Sequence, residues 1–183
     1  SVNSFGTNTI AAWTAFGKID SIIWFVLSAF GTSALTFVGQ NYGAKKYDRV
    51  KLTVKTGLWM GGFTISLISL ILFIFRFKLL NLFTNDLEVI TIGDRILSLQ
   101  LPFYVAFIFN EIFSSTIKGS GEGFIPMVIT VFSICLFRFA WILGIVPSHH
   151  DILWVAVSYP ITWILSSLVF TIYYIYYSKK NFN

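Results

Sequence analysis

Hydrophobic residues in this chain come in long unbroken runs rather than in the short alternating blocks of a soluble protein. Residues 21–44, 56–75 and 152–178 contain no Asp, Glu, Lys or Arg. Residues 96–117 carry one such charge, Glu111, and residues 123–148 carry one, Arg138. A bilayer core about 30 Å thick needs about 20 helical residues at 1.5 Å each. Each run is long enough. The pattern predicts five membrane-spanning helices, at about 19–40, 54–76, 88–117, 124–146 and 152–177. Strands of a transmembrane barrel would read as alternating segments of about ten residues, and that alternation is absent.

Composition supports the same solvent. Hydrophobic residues make up 56% of the 183 and charged residues 11%, where a soluble domain carries about 25% charge. There are too few polar residues to coat a surface in water. The fold class expected is therefore all-α transmembrane, a helical bundle of five spans. The single cysteine, Cys135, falls inside an apolar run and reads as a small hydrophobe.

The net charge of +5 would suggest nucleic acid in a soluble protein, but the placement of the cations explains it without one. Lys45, Lys46, Arg49, Lys51 and Lys55 follow the first span, Lys118 the third, and Lys179 and Lys180 the last. Lys18, Arg76, Lys78 and Arg95 fall on the other side. Cytoplasmic connections are enriched in Lys and Arg, so the 45–55 loop and the C-terminus are expected in the cytoplasm. Tyr173, Tyr174, Tyr176 and Tyr177 form an interfacial aromatic belt there. Five spans then leave the N-terminus outside. The chain starts at Ser1, without a Met or a basic leader, which leads us to expect a preceding helix that this sequence lacks.

Helix faces sharpen the reading. At 100° per residue, Gly17, Asp20, Ser21, Trp24, Ser28, Gly31, Thr32 and Gly39 share one sector of the first span. Ile22, Phe25, Val26, Phe30 and Phe37 share the opposite one. Small and polar residues favour close helix contact, so the first sector is expected to turn inward. Gly57 and Gly61 form a GxxxG pair, a mark of close crossing. Asn85 followed by Glu88 reads as the N-cap of the third helix. Pro102 and Pro160 lie within spans and require neighbouring groups to satisfy the carbonyls they free.

The candidate chemistry is a small set of embedded polar groups. Glu111 lies about four to five turns inward from Arg95 and about two turns from Lys118, and a carboxylate at such depth costs several kcal/mol unless paired, neutralised or wet. It is either a functional acid or a structural partner for Arg138, the other deep charge. Arg138 in turn is either that counter-charge or a brace between helices. Asn110, Ser114 and Ser115 offer neutral oxygens beside Glu111, and Tyr104 and Phe107 lie on its face. Asp20, close to Lys18, reads as an interfacial acid and a weaker candidate. The GSGEG run at 119–123 lacks the strand and Lys-Ser/Thr pair of a phosphate loop and reads as a tight turn. His149, His150 and Asp151 are adjacent loop residues rather than a metal set. No catalytic constellation or resident cofactor is expected.

Several of these landmarks together resemble the second half of a MATE (multidrug and toxic compound extrusion) transporter. The run TFVGQNYGA at 36–44, closing the first span before a basic loop, is similar to that family's signature at the end of its eighth helix. NLFTND at 81–86 resembles the segment ahead of the tenth helix, and KGSG at 118–121 with Pro126 the turn after it. The resemblance implies that the five spans correspond to helices 8–12 of a twelve-helix, two-lobe protein. It implies a secondary active exporter that exchanges cationic amphipathic small molecules for Na⁺ or H⁺ in the cell membrane. The partners implied are the lipid bilayer and the missing N-terminal lobe. The ion and substrate candidates are Glu111, Asn110, Ser114, Asp20 and Arg138. Some members of the family carry a cation-binding Asp where this chain has Phe107; Glu111 is one turn further on. Two other readings stay open: a lipid-linked oligosaccharide flippase and a non-transporting membrane scaffold.

Overall fold

The computed structural model describes residues 5–149 and 151–182. It is helical throughout: α1 Thr7–Gly43, α2 Tyr47–Asn81, α3 Leu87–Gln100, α4 Tyr104–Gly119, α5 Phe124–Thr130, α6 Phe137–Gly144 and α7 Leu153–Asn181. A 3₁₀ turn, Leu101–Phe103, joins α3 to α4, and a π turn, Val131–Leu136, joins α5 to α6. The third and fourth spans are thus interrupted helices, Leu87–Gly119 and Phe124–Ser148. Pro102 explains the first interruption, since it has no N–H to continue the α-helical ladder.

Helices overrun the apolar runs. The first begins at Thr7 instead of near residue 19, because Thr9, Ala12, Ala15 and Phe16 are buried and extend its packed face past Lys18. At 37 residues it is about 55 Å long, well beyond a hydrocarbon core. The N-cap of α3 is Asp86 rather than Asn85: its carboxylate accepts from Glu88 N at 2.9 Å, and Asp86 N donates to Thr84 Oγ1.

The face of α1 that packs is also displaced from the expected one. Its buried stripe is Ile19, Ile23, Leu27, Gly31, Ala34 and Val38. Of the small-polar sector only Gly31 is buried; Asp20, Ser21 and Trp24 are half-buried, and Ser28 and Thr32 are exposed. Dispersion between closely fitted aliphatic groups drives helix association in a bilayer, and this stripe supplies it. Ile22, Phe25 and Phe37 do point outward.

Helix α4 is the hub, packed on α1, α2 and α7. Small residues set its distances. A β-carbon on Gly57 would come 3.0 Å from Ile112, and one on Gly61 would come 2.7 Å from Ile108, so the GxxxG pair receives two isoleucines of α4. Nearer the end of α4, a β-carbon on Gly119 would lie 2.8 Å from Leu35 O and 3.2 Å from Gly39 N. There the backbones of α1 and α4 touch.

The two ends differ in character. At one end Tyr42, Tyr47, Tyr174 and Tyr177 surround Phe182, with ring centroids 5.7–6.4 Å from it. This cluster brings the C-terminus beside the basic α1–α2 turn. The opposite end is tied by polar contacts: Asn8 to Glu88, Arg76 to Asp94 at 2.6 Å and Arg95 to Asp151 at 2.9 Å. Lys18 sits over the Phe83 ring.

Candidate ion and substrate site

Glu111 projects from the middle of α4 towards α1, and Gly31 makes room for it. A β-carbon at Gly31 would meet the Glu111 carboxylate, with Cδ at 2.7 Å and Cγ at 2.8 Å. Among the described residues Glu111 has no hydrogen bond and no ion pair. Arg138 is not its counter-charge, as one reading of the sequence had it. The cation whose field reaches it is Lys118, seven residues along the same helix.

Arg138 belongs to a different contact. Its Nη2 donates to Thr162 Oγ1 at 2.8 Å and its guanidinium lies 3.8 Å from the centre of the Tyr159 ring, both on α7. Nε is buried without a hydrogen-bond partner. The Thr162 hydroxyl donates back to its own helix, at Ser158 O. Arg138 therefore braces α6 against α7.

Asn110 also faces away from Glu111, because neighbours on a helix differ by about 100°. Its Nδ2 donates to Ser166 Oγ on α7, and Ser167 Oγ donates to Ala106 O at 2.6 Å. These two bonds join α4 to α7. Ser114 and Ser115 are buried along the same stretch of α4.

Asp20 takes its hydrogen bonds from aromatic residues and not from the nearby Lys18. Its Oδ1 accepts from the Tyr104 hydroxyl and its Oδ2 from Trp24 Nε1 at 3.0 Å. The two donors are part of an aromatic cluster. Trp24 stands edge-on to Phe107 at 4.8 Å and to Trp163 at 6.1 Å; Tyr104 contacts Trp163 at 4.7 Å, and Tyr159 follows at 6.0 Å. Through these rings Asp20 and Arg138 occupy two ends of one packed layer. The five candidate residues do not converge on a single point. Asp20 and Glu111 lie on the α1–α4 interface, Asn110 and Arg138 tie to α7, and Ser114 is buried on α4.

Sequence reasoning missed Gln100. It is 1% exposed, and its Nε2 lies 3.4 Å from Ala156 O. Ala156 is four residues before Pro160, so its carbonyl is the one that proline leaves without an N–H partner. The signal was available: an embedded proline demands a donor four residues back, and Gln100 is an amide within an apolar stretch. Trp163, Tyr159 and Thr162 gave no comparable sign. Of the residues at 149–151, His149 packs on Trp154 at 4.1 Å and Asp151 pairs with Arg95. His150 lies outside the described residues. In the 119–123 turn, Gly121 has φ +92°, a conformation that suits glycine.

Five helices long and apolar enough to cross a membrane make this chain a multi-pass α-helical membrane protein. Within that class the chain belongs to the MatE family, whose profile matches residues 1–143. It is 29% identical over 182 residues to the probable multidrug resistance protein YoeA of Bacillus subtilis, covering 98% of this chain and 39% of that protein. It is 22% identical over 120 residues to the multidrug and toxin extrusion protein 2 of Mus musculus, covering 66% of this chain and 21% of that protein. Among solved structures, the Vibrio cholerae MATE transporter VcmN in its bent form superposes with a TM-score of 0.83 at 20% identity, over 98% of this chain and 41% of that one. A MOP-superfamily transporter from Pyrococcus furiosus superposes with a TM-score of 0.88 at 16% identity, over 100% and 42%. The chain therefore spans about two-fifths of the length of YoeA and of these two solved transporters.

Proposed function

We propose that this chain is the C-terminal part of a secondary active multidrug exporter that exchanges cationic amphipathic compounds for Na⁺ or H⁺, with Glu111 as a coupling carboxylate. The observation that carries the reading is the carboxylate set against Gly31 in the centre of the helix hub, with no hydrogen bond or ion pair among the described residues. An acid in apolar surroundings is costly unless it serves a cation or proton, and an unpartnered one is open to either. Asp20 already holds two donors and takes the secondary role. Asn110 and Arg138 bond to α7 instead of ligating the ion. The relatives' names as multidrug resistance and extrusion proteins support the substrate class.

On this reading the substrate cavity lies between the present lobe and an N-terminal one, as in other repeat-built transporters. The basic end of the bundle, with the 45–55 turn and the C-terminus, faces the cytoplasm of the cell membrane. The test is dye efflux in everted vesicles under an imposed Na⁺ or H⁺ gradient, using the protein that joins both lobes. Glu111→Gln should abolish gradient-driven efflux with membrane abundance unchanged, and Asp20→Asn should reduce it less. Normal efflux from Glu111→Gln would assign the coupling role elsewhere.

A further inference from the structure

Helices α1 and α2 leave a groove of about 400 Å³ between them, lined by Phe30, Ser33 and Phe37 on one side and Leu52, Thr56 and Met60 on the other. Two of its three hydroxyls are turned to their own backbones. Ser33 Oγ donates to Ala29 O and Thr53 Oγ1 to Arg49 O, both at 2.8 Å. What the groove offers an occupant is hydrocarbon. Phe30 and Phe37 belong to the bulky sector of α1 that suits lipid.

The groove runs along α2 from Met60 to Leu52, about 12 Å of helix, and ends next to the basic α1–α2 turn. Arg49 lies in the same arc as Leu52, Thr53, Thr56 and Met60, because spacings of three, four, seven and eleven return to one helix face. It is exposed and makes no ion pair among the described residues. Lys45 and Lys46 in the turn are exposed as well, with Asp48 the acid among them. A cation therefore stands at the mouth of an apolar groove. The distance from Met60 to Arg49 is about 16 Å, close to the roughly 15 Å half-thickness of a bilayer core.

We propose that this groove is a binding site for an anionic phospholipid, with one acyl chain between α1 and α2 and the headgroup phosphate on Arg49. Lys45 and Lys46 add to the positive field without touching the chain. A zwitterionic lipid fills the same groove but gains less at its mouth, since basic residues at a membrane surface favour anionic headgroups. The assignment is independent of the transport reading, because it uses none of the embedded carboxylates.

The test uses the purified full-length protein in phosphatidylcholine bilayers doped with a photoactivatable probe, either phosphatidylglycerol or phosphatidylcholine labelled in its acyl chain. The phosphatidylglycerol probe should label Phe37, Leu52 and Met60 in preference to Trp59 and Phe63 on the open face of α2. Arg49→Gln should lower that labelling about fivefold and leave the phosphatidylcholine signal nearly unchanged. Thr56→Trp, which fills the groove, should suppress both probes there. Equal labelling by the two probes before and after Arg49→Gln overturns the proposal. So does labelling spread evenly around α2. A groove that neither probe labels is occupied by something else, such as another protein segment, and that result also overturns it.

Discussion

The hub of the bundle and its fourth span are built from similar residues and yet occupy different environments. In the most apolar stretch of Leu87–Gly119, 56% of residues are buried inside the protein, and in that of α7, 50%; in Phe124–Ser148 the figure is 6%. The interior holds Asn110 and Ser166 because they bond each other between α4 and α7; Gln100 meets Ala156 O through Nε2, while its Oε1 is buried without a partner among the described residues. The fourth span turns Phe132, Phe139 and Leu143 outward and leans mainly on α7, through its π turn and the Arg138 brace. In a bilayer, apolar character alone does not separate an interior helix from a peripheral one. Small residues and satisfied polar groups do.

Glycine substitutions should break that contrast most clearly. Gly119→Ala places a methyl against the backbone of α1, which cannot move aside like a side chain end, and should cost about 3 kcal/mol. Gly144→Ala on α6 meets nothing within 4 Å and should change stability by less than about 0.5 kcal/mol. Unfolding by SDS titration in mixed micelles measures both. Similar losses would mean that the fourth span packs as closely as the hub.

A smaller effect is expected from Tyr104→Phe, which removes a hydroxyl donor from the Asp20 carboxylate and leaves the rings in place. It should destabilise by about 1–1.5 kcal/mol in the same titration, near the upper end for interhelical hydrogen bonds in membranes. Smaller still is Thr162→Val, which takes one acceptor from Arg138 while the Tyr159 ring stays. The loss should be about 0.6 kcal/mol, typical of interhelical polar contacts in membranes. If Thr162→Val costs more than Tyr104→Phe, the peripheral brace outweighs the hub's polar tie.

Much of the fold was legible because hydropathy registers the solvent directly. The limits of the helices were less so, since α1 is continued by Ala12, Ala15 and Phe16 packing ahead of the first long apolar run. The candidate acids were found by their rarity, but their partners were not. Glu111 and Arg138 are the two deep charges in the sequence, and pairing them ignored that α4 turns one towards α1 while α6 turns the other towards α7. Helical rotation of this kind is fixed by packing among all the helices together. The Gln100 contact shows the opposite case, where a local rule about proline named the need and only the donor was missing.

The space at Gly31 ties two distant positions into one choice. Any side chain there, even a methyl, would run into the Glu111 carboxylate. A lineage could therefore not acquire alanine at 31 and keep the acid in its present rotamer; it would have to shorten residue 111, redirect it, or lose it. The reverse order is open, since a smaller residue at 111 first would free position 31 to drift. A chain that has drifted at 31 can hold a glutamate at 111 only with its carboxylate turned away from α1.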